Sequence, residues 1–271
     1  MPAISAELEP VVFLKLGGSL ITDKTRPDTV HRDVLERLAA EIARAQSRPG
    51  ARRLVLGHGS GSFGHAAAAR LSVDRGIDRG RLEAVSEVQA RAMALHRLVA
   101  DALREAGLAP FSLAPSTSLV TDVGRPVAVS VEPVILALEW GLLPVVFGDV
   151  VLDRFRGCSI CSTESVLVTV AERMARRRLT VERALWAGVT DGVLDARGRT
   201  IPEVVVGTAE EALAAAGDAA GTDVTGGMLH RLESTLTLAR RGTPSLVFDG
   251  TVPGAVEAAL AGEPVGGTKI S

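Results

Sequence analysis

The sequence contains no tyrosine and few other aromatic residues, which make up 3% of its 271 residues. It therefore offers little surface on which nucleobases could stack. Its formal net charge is −2, so composition gives no electrostatic reason for binding to nucleic acid or to an anionic membrane. We expect neither as a partner.

Long apolar runs are also absent, since no uninterrupted apolar stretch approaches the ~20 residues that a helix needs to span a bilayer. The first residues lack a basic region followed by an apolar one, so we expect no signal peptide. Cysteine is scarce, and Cys158 and Cys161 form a single C-x-x-C. Without a second such pair or a His pair, this spacing favours two buried thiols over a metal or redox site. We assign no metal ligands and expect a location in the reducing cytoplasm.

Lysine is rare compared with arginine. Of the 30 Lys and Arg residues only three are lysines, and two of them bound the segment Lys15-Leu-Gly-Gly-Ser-Leu-Ile-Thr-Asp-Lys24. Lysine carries a compact, mobile charge, whereas the arginine guanidinium is a wide planar fork. Two ammonium groups beside small residues suit a site in which crowded anionic oxygens move during a reaction. The segment therefore predicts phosphate chemistry.

Short β-branched runs alternate with amphipathic segments along the chain. Strands are predicted over residues 11–16, 52–56, 110–113, 143–147, 184–189 and 245–248. Helices are predicted over residues 31–46, 82–106, 131–140, 165–177, 209–216 and 228–240. This alternation is typical of an α/β protein with a mainly parallel sheet that helices cover on both faces. We find no domain break and treat residues 1–271 as a single domain.

A second glycine-rich segment, Gly57-His58-Gly59-Ser60-Gly61-Ser62-Phe63-Gly64-His65, follows the predicted strand 52–56. Its glycines let backbone N–H groups turn toward one point, and the next helix adds a partial positive charge, so the loop predicts a phosphate site. His65, where that helix begins, can donate a hydrogen bond to phosphate. We interpret His58 as an ordinary polar residue of a tight loop. Residues 59–64 also match the G-x-G-x-x-G of dinucleotide-binding proteins, and this alternative stays open, whereas no P-loop motif is present.

Three further segments place glycine beside Asp, Ser or Thr where strands end or helices begin. They are residues 147–149, with Asp153 nearby, 190–193 and 222–228. Each alone is compatible with turn or helix-cap chemistry. Because ligands of open α/β sheets gather at the carboxyl ends of strands, the five segments together predict one site. Residues 121–129 are predicted to form a hairpin, turning at Gly124-Arg125-Pro126, that shapes a wall of this site.

The five segments together resemble the amino acid kinase superfamily, and within it the isopentenyl phosphate kinases. The motifs that carry the resemblance are Lys15-Leu-Gly-Gly-Ser19, Ile21-Thr-Asp-Lys24, Gly59-Ser-Gly-Ser-Phe-Gly-His65, Gly148-Asp149, Thr190-Asp-Gly192 and Asp223-Val-Thr-Gly-Gly-Met228. Lys-x-Gly-Gly-Ser marks the superfamily, and Gly-Ser-Phe-Gly-His marks the branch that phosphorylates phosphate groups and includes relatives of fosfomycin kinase. The resemblance implies a three-layer αβα sandwich that binds Mg-ATP with its carboxyl-terminal half and the acceptor with its amino-terminal half.

The resemblance also implies roles for single residues. Lys15 would hold the ATP phosphates, Lys24 would stabilise the γ-phosphoryl group in transfer, and His65 would complete the catalytic set. The residues expected to contact the nucleotide are Lys15, Gly17, Gly18, Ser19, Gly61, Asp191, Gly227 and Arg231. The residues expected to contact the acceptor are Ser60, His65, Gly148 and Thr163.

Two positions depart from the usual pattern of the family. Arg231 stands three residues after Gly-Gly-Met, where the family usually has Lys, so the charge is kept and the geometry changes. Thr163 stands in Ser162-Thr163-Glu164, where the family tends to have Ser-Gly-Asp, and it adds bulk near the expected acceptor site.

We therefore expect in-line phosphoryl transfer from ATP, with Mg²⁺, to a small isoprenoid monophosphate. Since the acceptor oxygen is already anionic, positive charge and oriented N–H groups are needed and a general base is not. The alternatives are a kinase of the same superfamily with another acceptor such as a phosphonate, a catalytically silent nucleotide sensor, and a nicotinamide-dependent oxidoreductase. The resemblance also favours a homodimer.

Overall fold

Two sheets and their surrounding helices form the described part of the computed structural model, which covers residues 10–71, 73, 76–77, 81–195, 197–210, 212–214 and 227–271, with residue 65 described by its backbone alone. The strands are β1 Val11–Leu16, β2 Leu54–His58, β3 Pro110–Ser112, β4 Leu119–Asp122, β5 Arg125–Val129, β6 Leu143–Phe147, β7 Asp149–Asp153, β8 Gly157–Cys161, β9 Val181–Gly188, β10 Glu203–Val204, β11 Ser245–Asp249 and β12 Thr268–Ile270. The helices are α1 Gly18–Ile21, α2 Arg32–Gln46, α3 Gly61–Arg70, α4 Leu82–Glu105, α5 Pro115–Ser118, α6 Glu132–Glu139, α7 Thr163–Ala175, α8 Gly227–Ala239 and α9 Ala255–Ala261.

The central sheet has the strand order β10-β12-β11-β9-β1-β2-β6-β3. Its inner neighbours β11, β9, β1, β2 and β6 all pair in parallel, whereas β12 runs antiparallel to β11. The carboxyl ends of β1, β2, β6 and β9 therefore lie along one edge. This confirms the predicted mainly parallel sheet and places four of the glycine-containing segments together.

Strand β1 shows how the sheet is covered on both faces, because its side chains alternate between two cores. Val11 and Phe13 pack in the core that α6, α7 and α8 close. Val12, Leu14 and Leu16 pack in the core that α2, α4 and α9 close. Every residue of β1 is buried, as a strand between two helical layers requires. The result is the three-layer αβα arrangement that the resemblance implied.

A second, four-stranded sheet has the order β5-β4-β7-β8. The predicted hairpin is its β4–β5 pair, but the turn lies at Val123 and Gly124, which have φ values of 50° and 80°, and Arg125 and Pro126 belong to β5. The prediction missed β7 and β8 because only Gly148 separates β6 from β7. The prediction treats residues 147–149 as the end of one strand and its turn, and it therefore has no strand beginning at Asp149.

Most other predicted elements are confirmed within a few residues of their ends. Strand β9 begins at Val181, three residues before the predicted start, because the charged, half-buried Glu182 and Arg183 interrupt the apolar pattern. The predicted helix over residues 209–216 lies partly outside the described residues. The segment 222–228 is described only from Gly227 onward. None of the helices within the described ranges is long and apolar enough to cross a membrane.

The cysteines lie on opposite faces of β8, because they are three residues apart along the strand. Cys158 packs in a small cluster with Val73 and Val150, whereas Cys161 packs in the core beside α7. Both thiols are free and buried, and burial raises the pKa of Cys161 to about 12. They are structural side chains of the two cores.

Candidate active site

Two glycine loops at the carboxyl ends of β1 and β2 touch through their backbones. A Cβ on Gly18 would lie 2.7 Å from the backbone N of Gly61, and a Cβ on Gly59 would lie 2.7 Å from the backbone N of Gly18. Side chains at these positions would push the loops apart. Gly61 also has a φ of 49°, which is unfavourable for residues with a Cβ. The two predicted phosphate loops thus form one continuous backbone surface.

Thr22 fastens the two loops together. Its Oγ1 donates a hydrogen bond to the carbonyl of Gly18 at 2.8 Å and accepts one from the backbone N of Ser62 at 3.0 Å. The side chain is buried, so both bonds are shielded from water. Sequence reasoning quoted Thr22 within a motif but gave it no role.

A buried ion pair lies beneath this surface. Lys15 Nζ donates to Glu164 Oε1 at 2.7 Å, and the residues are 4% and 8% exposed. Burial raises the pKa of Glu164, but the charges of Lys15 and Arg231 overcome this effect and lower it to about 2. Burial also lowers the pKa of Lys15, which the Glu164 carboxylate opposes. The carboxylate is therefore ionised at neutral pH and holds the ammonium group in place. Sequence reasoning assigned Glu164 no role, although it is the acidic residue of the Ser162-Thr163-Glu164 motif.

Arg231 brings a second cation to the same point from α8. A Cβ on Gly188 would lie 2.8 Å from its Nη1, and a Cβ on Gly17 would lie 3.8 Å from its Nη2. The guanidinium therefore covers the carboxyl ends of β1 and β9, and the charge of Arg231 lowers the pKa of Lys15 and of Glu164. The predicted residues Lys15, Gly17 and Arg231 are brought together.

The remaining residues predicted to face the nucleotide lie along the same edge. Ser19 is half-buried in the first turn of α1, and Asp191 is exposed after the end of β9, near Gly266. Gly227 is the first residue of α8. Lys24 is exposed three residues beyond α1, and its charge contributes, after burial and Arg231, to lowering the pKa of Lys15.

A small cavity lies beside the second glycine loop, with a polar end at Ser60, Gly148 and Asp149 and an apolar end at Val88 and Ala92 of α4. The buried Asp149 carboxylate accepts from its own neighbour Val150 N at 2.8 Å and from Ser116 N at 3.2 Å. Burial raises the pKa of Asp149 despite these bonds. His65 lies on α3, five residues after Ser60, and its side chain is outside the described part of the structure.

Thr163 and His58 lie behind this cavity. Thr163 is buried at the start of α7, and its Oγ1 donates to the carbonyl of His58 at 2.6 Å. A Cβ on Gly148 would lie 3.3 Å from that Oγ1, and one on Gly57 would lie 2.7 Å from Thr163 Cγ2. The Thr163 side chain, which stands where the family tends to have glycine, therefore lies under β2, at the back of the predicted acceptor site. The interpretation of His58 as an ordinary loop residue is wrong, because it ends β2, is 0% exposed and uses both ring nitrogens in hydrogen bonds.

Asp153 lies outside the site and holds the second sheet together. Its carboxylate accepts from Thr121 Oγ1 and from the backbone N of Val123, Gly124, Phe155 and Arg156. Burial raises its pKa, but these hydrogen bonds lower the pKa well below its usual range. The aspartate therefore fixes the turns that end β4 and β7.

The described residues contain no cluster of three His, Cys, Asp or Glu side chains that could hold a metal ion. A Mg²⁺ ion in a phosphate-transfer site usually keeps several waters and binds substrate phosphates with one or two carboxylates.

The chain matches the model of the amino acid kinase family over residues 10–249. An isopentenyl phosphate kinase of Methanothermobacter thermautotrophicus is 34% identical over 273 residues, covering 96% of this chain and 99% of that protein. The isopentenyl phosphate kinase of Haloferax volcanii is 33% identical over 264 residues, covering 94% and 97%. Among solved structures, an isopentenyl phosphate kinase matches with a TM-score of 0.80 at 30% identity, covering 96% of this chain and 100% of its own. A carbamate kinase of Giardia lamblia bound to AMP-PNP has a TM-score of 0.66 at 14% identity, with 96% and 98% covered, and is similar in fold alone.

Proposed function

Since this chain belongs to the amino acid kinase family, we propose that it transfers the γ-phosphoryl group of ATP to isopentenyl phosphate, giving ADP and isopentenyl diphosphate. One observation carries the proposal: the buried Lys15–Glu164–Arg231 cluster lies next to a cavity whose polar end adjoins an apolar one. The first can bind the phosphates of a donor. The groups around the second, a cavity of about 10 Å³ that must widen to admit a ligand, match a phosphate and a hydrocarbon tail in polarity. The similarity to isopentenyl phosphate kinases over nearly the full chain supports the same substrate.

The chemical problem is to bring two anions together. The acceptor phosphate already carries the attacking oxygen as an anion, so the protein positions both groups and neutralises their charge. Lys15 and Arg231 supply fixed positive charge at the carboxyl ends of β1 and β9, and Glu164 keeps Lys15 in place. Lys24 lies further out on a flexible side chain and follows the γ-phosphoryl group during transfer.

The joined glycine loops give the two phosphates a common floor. The backbone N–H groups of Gly18 and Ser19 face the donor, and those of Ser60 and Gly61 face the gap between donor and acceptor. The N–H of Gly17 instead donates to the carbonyl of Ala187 at 2.8 Å. Because these dipoles are fixed before the reaction, they stabilise charge in the transition state without reorganising. His65 and Gly148 complete the acceptor side.

The hydrocarbon tail needs an apolar path away from the phosphates, and α4 supplies one. Val88 and Ala92 line the small cavity beside Ser60. Toward the start of the same helix, Leu82, Val85 and Gln89 line a cavity of about 310 Å³ together with Ile77 and Leu152. These positions recur at three- and four-residue spacing and so share one face of α4. A tail that leaves the phosphate site along this face contacts apolar side chains in a cavity that is open at the surface.

We also propose the form in which ATP is used, the location of the enzyme and its oligomeric state. ATP is used as its Mg²⁺ complex, the ion being held mainly by phosphate oxygens and water. The enzyme works on a free small molecule in the cytoplasm, as one domain over residues 1–271. We also propose a homodimer, which a measurement of molecular mass in solution would test.

The deciding experiment is ADP formation from Mg-ATP with isopentenyl phosphate, run beside dimethylallyl phosphate, fosfomycin, UMP and no acceptor. We expect strong turnover with isopentenyl phosphate. Turnover with another acceptor alone would reject the substrate and keep the reaction class. ATP binding without turnover on any acceptor would support a nucleotide sensor and reject the kinase.

Lys24 offers a matched test of the mechanism because Lys269 is an exposed lysine on β12, far along the chain from the site motifs. Lys24→Ala should lower kcat by about 10²-fold or more if its ammonium contacts the moving phosphoryl group. Lys269→Ala should leave kcat unchanged. Equal kinetics for the two variants would remove Lys24 from the catalytic set.

A further inference from the structure

A chain of hydrogen bonds leads from the second glycine loop into the protein interior. His58 Nδ1 lies 3.1 Å from the carbonyl oxygen of Gly59, and His58 Nε2 lies 3.1 Å from His96 Nδ1. His96 Nε2 lies 2.6 Å from Ser112 Oγ, on the edge strand β3. His58 and His96 are 0% and 3% exposed. Two buried imidazoles thus connect the site to the far edge of the sheet.

The carbonyl of Gly59 fixes the direction of every bond in this chain. Because a carbonyl only accepts, His58 Nδ1 carries the proton, and the neutral ring offers Nε2 as an acceptor. His96 Nδ1 then donates to His58, and His96 Nε2 accepts from the Ser112 hydroxyl. Burial, with the charge of the other histidine next in effect, lowers the pKa of His58 to about 3, and burial lowers that of His96 to about 4. Both rings are neutral at physiological pH, and all four ring nitrogens are used.

Packing holds the rings in this orientation. The Phe147 ring stacks on His96 with centroids 4.3 Å apart and on His58 with centroids 5.5 Å apart. The backbone of His58 is held as well, because its carbonyl accepts from Gly148 N at 3.2 Å and from Thr163 Oγ1 at 2.6 Å. The imidazole of His58 is therefore held in one orientation, and its hydrogen bond can keep the Gly59 carbonyl in one position.

The position of the Gly59 carbonyl oxygen determines the direction of the Ser60 N–H, because the two groups belong to one planar peptide unit and point in opposite directions. When His58 holds the carbonyl inward, the N–H of Ser60 points outward, on the side where a Cβ on Gly148 would lie 3.6 Å from Ser60 N. Glycine has no Cβ to restrict rotation of this peptide. Without the histidine bond, the unit is free to rotate and to turn its N–H away.

We propose that His58 and His96 are positioning residues that orient the Gly59–Ser60 peptide so that its N–H binds the acceptor phosphate. The inference rests on the proposed function, in which Ser60 and Gly148 hold that phosphate. His58 acts directly on the peptide, His96 acts through His58, and Ser112 sets the ring orientation of His96.

The test compares three substitutions of His96. His96→Asn keeps a donor at the position of Nδ1, whereas His96→Leu fills similar space with no donor, and His96→Gln keeps a group near Nε2 only. We expect His96→Leu and His96→Gln to raise the KM for isopentenyl phosphate about tenfold, the effect of one lost hydrogen bond, with the KM for ATP changed far less. His96→Asn should restore the wild-type KM. Equal acceptor KM values in the Asn and Leu variants would overturn the proposal.

Two NMR measurements test the inference without turnover. The ¹⁵N shifts of labelled imidazoles should show protonated Nδ1 and unprotonated Nε2 in both residues, and the opposite tautomers would overturn the proposed direction. The Ser60 amide signal should saturate at lower inorganic phosphate concentration in wild type and His96→Asn than in His96→Leu. Identical phosphate titrations would reject the positioning role even if wild type proves inactive on isopentenyl phosphate, an outcome that would reject only the proposed function. Thermal melts of each variant identify any that fail to fold, and Ser112→Ala then serves as the second variant.

Discussion

At the scale of single residues, the site depends on a carboxylate that binds no phosphate itself. Glu164 lies beneath the glycine loops, pairs with Lys15 at 2.7 Å and is influenced by Arg231. A buried ion pair adds little net stability compared with an apolar pair, but leaving one partner alone is strongly unfavourable. The value of Glu164 is therefore that it keeps Lys15 charged and in one position. This predicts a large functional effect from a substitution that barely changes shape.

Glu164→Gln should lower kcat about tenfold or more at neutral pH, because it removes the charge that keeps buried Lys15 protonated. Burial lowers the pKa of Lys15 and Glu164 raises it, so the variant should lose its ammonium proton at lower pH than the wild type. The alkaline limb of the kcat–pH profile should therefore move to lower pH. Glu36→Gln, at an exposed position of α2, is the control. An alkaline limb at the wild-type pH in Glu164→Gln would contradict the assigned role.

The glycine loops give a second prediction for single residues. Gly59→Ala should abolish most turnover, because its Cβ would lie 2.7 Å from the backbone N of Gly18 and separate the two loops. Gly207→Ala is the matched control, since a Cβ there meets nothing within 4 Å and the φ of Gly207 is ordinary. Steady-state kinetics on both variants decide the point. Full activity in Gly59→Ala would mean that the loops do not need their close contact.

At the scale of elements, the four-stranded sheet closes the acceptor side of the molecule. Val150 and Ile160 line the cavity beside Ser60, and Leu152 and Gly157 line the larger cavity beyond it. Both of its turns depend on the Asp153 carboxylate, which accepts backbone N–H groups from each of them. This includes the turn that holds Val123 at a positive φ, which is unfavourable for a β-branched residue.

Asp153→Ala should therefore damage one side of the site selectively. We expect the KM for isopentenyl phosphate to rise about tenfold and the KM for ATP to change by less than about twofold, because the donor loops lie on the other sheet. Asp195→Ala is the control, since Asp195 also accepts backbone N–H groups in a tight turn but lies on the nucleotide side. An equal rise of the acceptor KM in both variants would show that the second sheet is not specific to the acceptor.

The sequence predicted elements well where the apolar period was uninterrupted and both ends carried turn residues. Strands β1 and β6 match their predicted ends, because each is a short apolar run followed by glycine. Strand β7 was missed because a single glycine joins it to β6, and the change from one sheet to another leaves no mark in periodicity.

The candidate site was predictable to the extent that it is local. The scarcity of lysine and the adjacent glycines indicate Lys15 as a site residue from the sequence alone. The resemblance to the family motif predicts Arg231. Residue pairs that come together only through tertiary packing could not be predicted from the sequence. Glu164 lies 149 positions from Lys15, and nothing in the spacing of His58 and His96 reveals that their rings touch. Such pairs are set by the order of strands in the sheet, which hydrophobic patterns do not encode.

At the scale of the whole molecule, the buried histidine pair couples stability to pH. Burial lowers the pKa of His96 from 6.5 to about 4 and, helped by the charge of the other histidine, that of His58 to about 3. Between these values the unfolded chain binds protons that the folded protein excludes. The free energy of unfolding must therefore rise with pH through this window and level off above about pH 6.5. Glu164 and Asp153, whose pKa values are lowered, lose their contributions only as pH falls below about 4.5. Asp149, whose pKa burial raises, contributes with the opposite sign in both the wild type and a His96 variant, so the difference between the two reports on the histidine.

His96→Leu should flatten this dependence. A histidine whose pKa falls from 6.5 to about 4 on folding contributes about 3 kcal/mol of unfolding free energy by pH 4, and most of it develops between pH 6 and 4. Urea unfolding at pH 7, 6 and 5 should thus show a steeper loss of stability in the wild type than in His96→Leu, whatever their difference at pH 7. Parallel curves for wild type and His96→Leu would mean that the pKa of His96 is not lowered in the folded protein, which would contradict a ring kept neutral by burial. The pH dependence of folding therefore tests the neutral state of the His96 ring, on which the proposed chain of hydrogen bonds depends.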